Sequence, residues 1–350
     1  MKKLFFAVIA ATTIFATIFS SCSKDTEPVI NNQTDDGPVV TITLAAEPSS
    51  RAFFDNTIIA EDHEKTIFSL YAYVFDASGN AVAKRAFTQP EILSGSARFN
   101  LPHSVANTYC TFYVVANTDY GNINNITELD NALETIVLDD HNSANIEDVI
   151  NNSKRSEGFV MTGKAVSHIA PPGLPTNFWI TIKRVVSKVA VQAHAATDFS
   201  ARHGGGSVFI TSAQISKANA QSYSFSNDAG PIASTSLYSL TQSTQIKADV
   251  EFNNLFYIYE SGPASISDRV TLVLNGYFDA DGNPLTTHDR SSVSYTVPLS
   301  GTVGNSGEIR RNGYYRIDAT IEGLSDDAVR ANFIVAEWEV LHTQTIDLGR

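Results

Sequence analysis

Four stretches of the sequence hold residue types that could do chemistry. HGGG at 203–206 has the histidine and glycines of an esterase oxyanion loop. That loop works only with a nucleophile elbow, Gly-x-Ser-x-Gly, and the chain has none. Three consecutive glycines resist both helix and strand, so a linker is expected there. DADGNPLTTHDR at 279–290 opens with the acid spacing of a calcium loop. Its sixth position is Pro284, where glycine makes the sharp turn, and its twelfth is Arg290, where glutamate closes the site. A hairpin turn is expected instead. Cys110 lies in the apolar run TYCTFYVVAN and reads as a buried structural thiol, not a nucleophile. Arg51, in EPSSRAFFDN at 47–56, is a lone base in a turn-rich joint, and the Arg51–Ala52 bond has the setting proteases prefer. The eight histidines form no HExxH pair, and no glycine loop could cradle phosphate. No enzyme activity, metal or cofactor is expected.

The N-terminus has its own chemistry. Lys2 and Lys3 precede an apolar run, LFFAVIAATTIFATIF at 4–19, shorter than the roughly 20 residues a bilayer span needs. Ser20 and Ser21 then lead to Cys22. Residues 1–21 read as an export signal. The junction resembles the lipobox of bacterial lipoproteins, which implies a diacylglyceryl group on Cys22. The formal net charge of −13 and the absence of a basic cluster argue against nucleic acid as a partner. Cys22 and Cys110 are the only cysteines, so no disulfide framework exists.

The elements that would position these residues are mostly strands. After a polar tether at 23–38 comes VVTITLAA, where Val40, Ile42 and Leu44 alternate with threonines in the period of a half-buried strand. IFSLYAYVFD, SARFNL and TYCTFYVVAN follow. One helix is expected over 125–140, with Thr127 and Asp130 as a capping box and Ile126, Leu129, Leu133 and Ile136 on one face. FWITIKRVVSKVAVQA at 178–193 reads as one long strand, bulged near Lys183–Arg184 where its apolar parity slips. Trp179 and Trp338 fall in strand-like runs and are expected in the core. Short strands with regular turns indicate a mainly β chain of two sandwich domains, 52–200 and 207–350, with one short helix in the first.

In order and spacing, several of these segments resemble the fimbrillins, subunits of type V pili in Gram-negative anaerobes. They are the Cys22 junction, VVTITLAA, SSRAF, FYVVANTD, MTGK at 161–164, ITIKRVVSKVAV at 180–191, RNGYYRIDATIEG and VAEWEV. The resemblance implies two tandem transthyretin-like β-sandwiches. It implies a precursor anchored in the outer membrane through Cys22 and cut by an arginine-specific protease between Arg51 and Ala52. Residues 22–51 are then a lipidated propeptide whose Val40, Ile42 and Leu44 plug a groove. Other fimbrial subunits are the implied partners, each refilling a neighbour's groove with a donated strand. After Trp338, Val340, His342, Gln344, Ile346 and Leu348 share one parity, and Val340, Ile346 and Leu348 are the candidate donor residues. His342 and Gln344 are its polar weak points. A pilus tip or accessory subunit, or a glycan-binding surface lipoprotein, is the alternative.

Overall fold

The computed structural model describes residues 36–45, 57–58, 62–135, 158–225, 234–301 and 305–338. VVTITL forms strand β1 (Val39–Leu44), its even residues buried and its odd ones half-buried. β1 lies between β5 (Ser96–Asn100) and β9 (Pro175–Ile180), antiparallel to the first and parallel to the second. A five-stranded sheet faces this one. Its order is β10 (Lys183–Arg184), β8 (Met161–His168), β6 (Tyr109–Ala116), β3 (Leu70–Phe75) and β4 (Ala81–Ala86). Val40, Ile42, Leu44, Leu70, Val74, Phe112 and Val114 share one apolar cluster between the two sheets. This is the first sandwich.

The second sandwich pairs another five-stranded sheet with a four-stranded one. The first runs β15 (Phe252–Tyr259), β11 (Val186–Ala195), β18 (Gly313–Ile321), β19 (Val329–Trp338), β2 (Thr57–Ile58). The other runs β14 (Ser234–Ile246), β12 (Ser207–Asn219), β16 (Thr271–Asp279), β17 (Arg290–Pro298). A two-stranded ribbon of β7 (Leu133–Thr135) and β13 (Gln221–Tyr223) joins the two halves of the chain. The chain is thus mainly β, with short helices at α1 (Asp62–Lys65), α2 (Gln89–Ser94), α3 (Ile126–Asp130) and α4 (Phe199–Arg202).

Four expectations need correction. FWITIKRVVSKVAVQA is not one strand. It contributes the second half of β9, then β10, then most of β11, and these belong to three different sheets. The parity slip marks a change of sheet, not a bulge. Gly163 of MTGK shows how tightly the chain turns here. A Cβ on it would lie 2.2 Å from the Thr181 carbonyl oxygen, so only glycine lets the link between β9 and β10 cross β8.

The sandwiches therefore meet near Val185, not at 201–206, because β11 pairs with β15 and β18 of the second. HGGG is a tight turn between α4 and β12 inside that second unit. Gly204 and Gly205 have φ of 65° and 98°, and a Cβ on Gly206 would strike the Phe278 ring at 2.3 Å.

The third correction concerns the helix. α3 ends at Asp130, and Leu133 lies in β7, 40% exposed. Its N-cap is Asn125, whose side chain accepts from the Glu128 N–H and donates to the Glu128 carboxylate. The box therefore sits two residues before Thr127–Asp130. Residues 136–140 of the expected helix lie outside the described residues. The fourth is Trp179, 70% exposed. On β9 the even residues Thr176 and Ile180 face inward, so the odd Trp179 must face out. Trp338 ends β19.

Candidate functional site

The most unusual feature of the first sandwich is how β1 is held. It is the middle strand of a three-stranded sheet, and β5 and β9 are bonded to it and not to each other. Five residues pair with β5, from Val39 opposite Asn100 to Thr43 opposite Ser96. Six pair with β9, from Val39 beside Pro175 to Leu44 beside Ile180. The ends are tied as well. Leu101 N–H donates to the Pro38 carbonyl at 2.8 Å, Leu44 N–H to Gly95 at 2.8 Å, and Ala45 N–H to Ile180 at 2.9 Å.

Val40 and Ile42 are fully buried and Leu44 is 5% exposed. Phe178, level with Ile42 on β9, packs against Phe112 of the facing sheet with ring centroids 4.5 Å apart. The opposite face is polar. Thr41 lies across from Arg98, and the Thr43 hydroxyl is 3.3 Å from that of Ser96. Taking β1 away would open a slot with two bare strand edges and three empty apolar seats. Filling those seats is worth about 5–9 kcal/mol, at roughly 1.5–3 kcal/mol per aliphatic side chain.

The downstream chain is held separately. Glu64 on α1 is fully buried, with Lys188 Nζ at 2.6 Å and the Tyr257 hydroxyl donating at 2.6 Å. Arg184 Nε donates to the Glu64 carbonyl at 2.6 Å, and its Nη1 reaches Asn312 at 3.1 Å. These partners sit on or beside β10, β11, β15 and β18. α1 is therefore bolted to the second sandwich through Lys188 and Tyr257 and to β10 of the first through Arg184, while β1 belongs wholly to the first. Between them lie residues 46–61, of which only 57–58 are described. Asn117 of FYVVANTD adds a second bolt. At φ 65° it turns its amide to accept from Phe68 N–H and to donate to the Thr66 and Phe159 carbonyls.

Of the site residues expected from sequence, the structure brings Val40, Ile42 and Leu44 together as the buried face of β1. Cys22, Arg51, Ala52, Val340, Ile346 and Leu348 lie outside the described residues. Nothing in the sequence marked Glu64, an acid among acids in EDHEK, because its partners come from distant strands. Arg85 and Arg98 sit within β4 and β5, and Arg85 is further held by the Glu91 carboxylate at 3.0 Å.

The calcium-like loop is the hairpin between β16 and β17. The carboxylates of Asp279, Asp281 and Asp289 come within 4.8 Å of one another. They are engaged in building the turn. Asp279 and Asp281 both accept from Asn283 N–H, Asp289 accepts from Asp281 N–H, and Arg290 Nε lies 3.3 Å from Asp279. The Asn283 N–H above all holds the Asp281 carboxyl below its ordinary range.

Cys110 is buried within β6, and burial pushes its thiol up to about 11. The thiolate is the reactive form, so the native protein should resist iodoacetamide at pH 8 and take up one equivalent at this site on denaturation. Rapid native labelling of Cys110 would show that the first sandwich opens.

No helix among the described residues is long and apolar enough to cross a membrane. Residues 39–181 match the family described as major fimbrial subunit protein (FimA). No curated protein matches the chain. Among solved structures, the fimbrilin FimA of Porphyromonas gingivalis W83 is similar with a TM-score of 0.58 and 18% identity, over 87% of this chain and 98% of that one. A protein provisionally described as a cell adhesion protein, from Bacteroides eggerthii DSM 20697, has a TM-score of 0.58 and 14% identity over 87% and 96%. Another so described, from Parabacteroides distasonis ATCC 8503, has a TM-score of 0.54 and 15% identity over 88% and 99%. At such identities these likenesses establish a shared fold.

Proposed function

We propose, from a chain whose residues 39–181 carry the domain of the major fimbrial subunit family, that this protein is the building block of a surface pilus and polymerises by exchanging one strand for another. The observation that carries this reading is the position of β1. A strand upstream of the Arg51 joint is the centre of its sheet, not an edge. An edge strand would be lost with one ladder. A central one leaves a slot bare on both sides, and such a slot templates a new strand.

The precursor is exported, lipidated on Cys22 and held in the outer membrane. An arginine-specific protease then cuts between Arg51 and Ala52. This severs β1 and the lipid together from a body that α1 keeps intact. The vacated slot is refilled by residues 340–350 of another subunit, whose apolar residues include Val340, Ile346 and Leu348. Sequencing the N-terminus of protein from shed filaments tests this. Ala52 is expected as the first residue, and filaments whose subunits begin at Cys22 would overturn the reading. Radiolabelled palmitate should enter the precursor and be lost in Cys22→Ala. Labelling that survives the substitution would refute the anchor. A glycan-binding lipoprotein would need a platform of rings. Trp179 is exposed, but its outward neighbours on β9 and β1 are Asn177 and Thr43.

A further inference from the structure

The slot left by β1 does not dictate the direction of the strand that enters it. β1 is antiparallel to β5 and parallel to β9. A strand entering the other way would be parallel to β5 and antiparallel to β9. Either way it makes one ladder of each kind, so backbone pairing is nearly the same for both. Side chains must decide polarity. This inference rests on the exchange reading above and takes 340–350 of a second copy as occupant.

The apolar side offers three seats of unequal character. Those of Val40 and Ile42 are fully closed, while that of Leu44 lies at the mouth, 5% exposed. Three consecutive inward residues of the donor must fill them. In the direction of β1, one register puts Gln344 into the dry Val40 seat, where its amide would lose its water partners. The register two residues along puts Arg350 at the Leu44 seat, a worse residue to enclose. In the reverse direction Leu348, Ile346 and Gln344 take the seats of Val40, Ile42 and Leu44. The isoleucine then replaces an isoleucine, and the amide sits at the mouth where it can reach water. The cost is one extra methylene in the Val40 seat.

The polar side agrees. In that reversed register Asp347 takes the place of Thr41. Thr41 lies across from Arg98 on β5 and beside Asn177 on β9. Both side chains are exposed, and Arg98 makes no ion pair with any described residue. The donor's acid would lie between a guanidinium and an amide, both hydrogen-bond donors. In the β1 direction with Gln344 at Val40, the same acid would lie between Ser96 and the exposed Trp179 ring. We propose that the donor strand enters antiparallel to the β1 it replaces, with Asp347 held between Arg98 and Asn177, and that these two residues set its polarity and register.

Thr345 distinguishes the arrangements, because it meets a different β5 residue in each. It faces Ser96 in the reversed strand, Arg98 in the first β1-like register and Asn100 in the second. Thr345→Cys is combined in turn with Ser96→Cys, Arg98→Cys and Asn100→Cys. Processed filaments are then treated with a short bis-thiosulfonate crosslinker. Cys110 is buried and its thiol is held protonated, so it does not compete. Linked multimers on denaturing gels are expected for the Ser96 pair, at least tenfold above the other two. Preferential linking through Arg98 or Asn100 overturns the polarity and leaves strand exchange standing. Filaments that link through none of the three place the segment outside the slot and overturn the inference. Filaments that still assemble with 340–350 deleted overturn the exchange reading as well.

Discussion

Arg51→Ala should leave a lipid-bound monomer that cannot enter a filament. With the Arg51–Ala52 bond intact, β1 stays covalently attached and its local concentration at the slot stays far above that of any incoming strand. A donor must then displace Val40, Ile42 and Leu44 from seats that exclude water almost completely. The donor regains most of that burial in the same seats, so the tether decides: a local concentration of order 1 mM against about 1 μM free donor disfavours exchange by roughly a thousandfold. The assay is filament yield from purified precursor with protease, read as a ladder of heat-resistant multimers. Arg85→Ala and Arg98→Ala are the controls for processing. Both arginines lie within paired strands, which a protease cannot bind in extended form without local unfolding, so processing at 51 should be unchanged. Normal filaments from Arg51→Ala that retain residues 22–51 would sink the exchange reading.

How much of this could be read beforehand depends on how local the determinant is. The burial of Val40, Ile42 and Leu44 was legible because alternation with threonine is a property of six consecutive residues. That β1 sits in the middle of its sheet was not. Its partners are over 50 residues away at β5 and over 130 away at β9, and nothing in VVTITL specifies one neighbour or two. The same limit explains the misread stretch 178–193. A parity slip looks alike whether a strand bulges or the chain moves to another sheet, and only the partners of β10 and β11 separate the cases. Leu133 fitted a helical face by spacing, but the ladder to β13, nearly 90 residues on, claims it for a strand. Trp179 fell to the opposite error. Hydrophobicity argued for the core, while the parity of its own strand, with Ile180 inward, already argued against it.

The C-terminal segment gives the sharpest separation between folding and assembly. β19 pairs with β18 from Val329 opposite Ile321 to Glu337 opposite Gly313, and with β2 at Glu337 and Trp338. None of those partners lies beyond residue 338, so deleting 340–350 removes no strand pair of the described fold. The truncated, processed protein should melt within about a degree of the full chain and form no polymer. A single substitution should do nearly the same. In the exchange reading Ile346 takes the fully buried seat of Ile42. Ile346→Asp would enter as a neutral acid, and at pH 7 protonating a carboxyl of ordinary pKa near 3.9 costs about 4 kcal/mol. Polymerisation should weaken about a thousandfold at pH 7 and recover partly toward pH 5, because protonation becomes cheaper by about 1.4 kcal/mol per pH unit. Ile346→Leu, which keeps the volume, should polymerise normally. A truncated chain that unfolds would assign 340–350 to its own core. One that polymerises at the full rate would overturn the reading of strand exchange through 340–350.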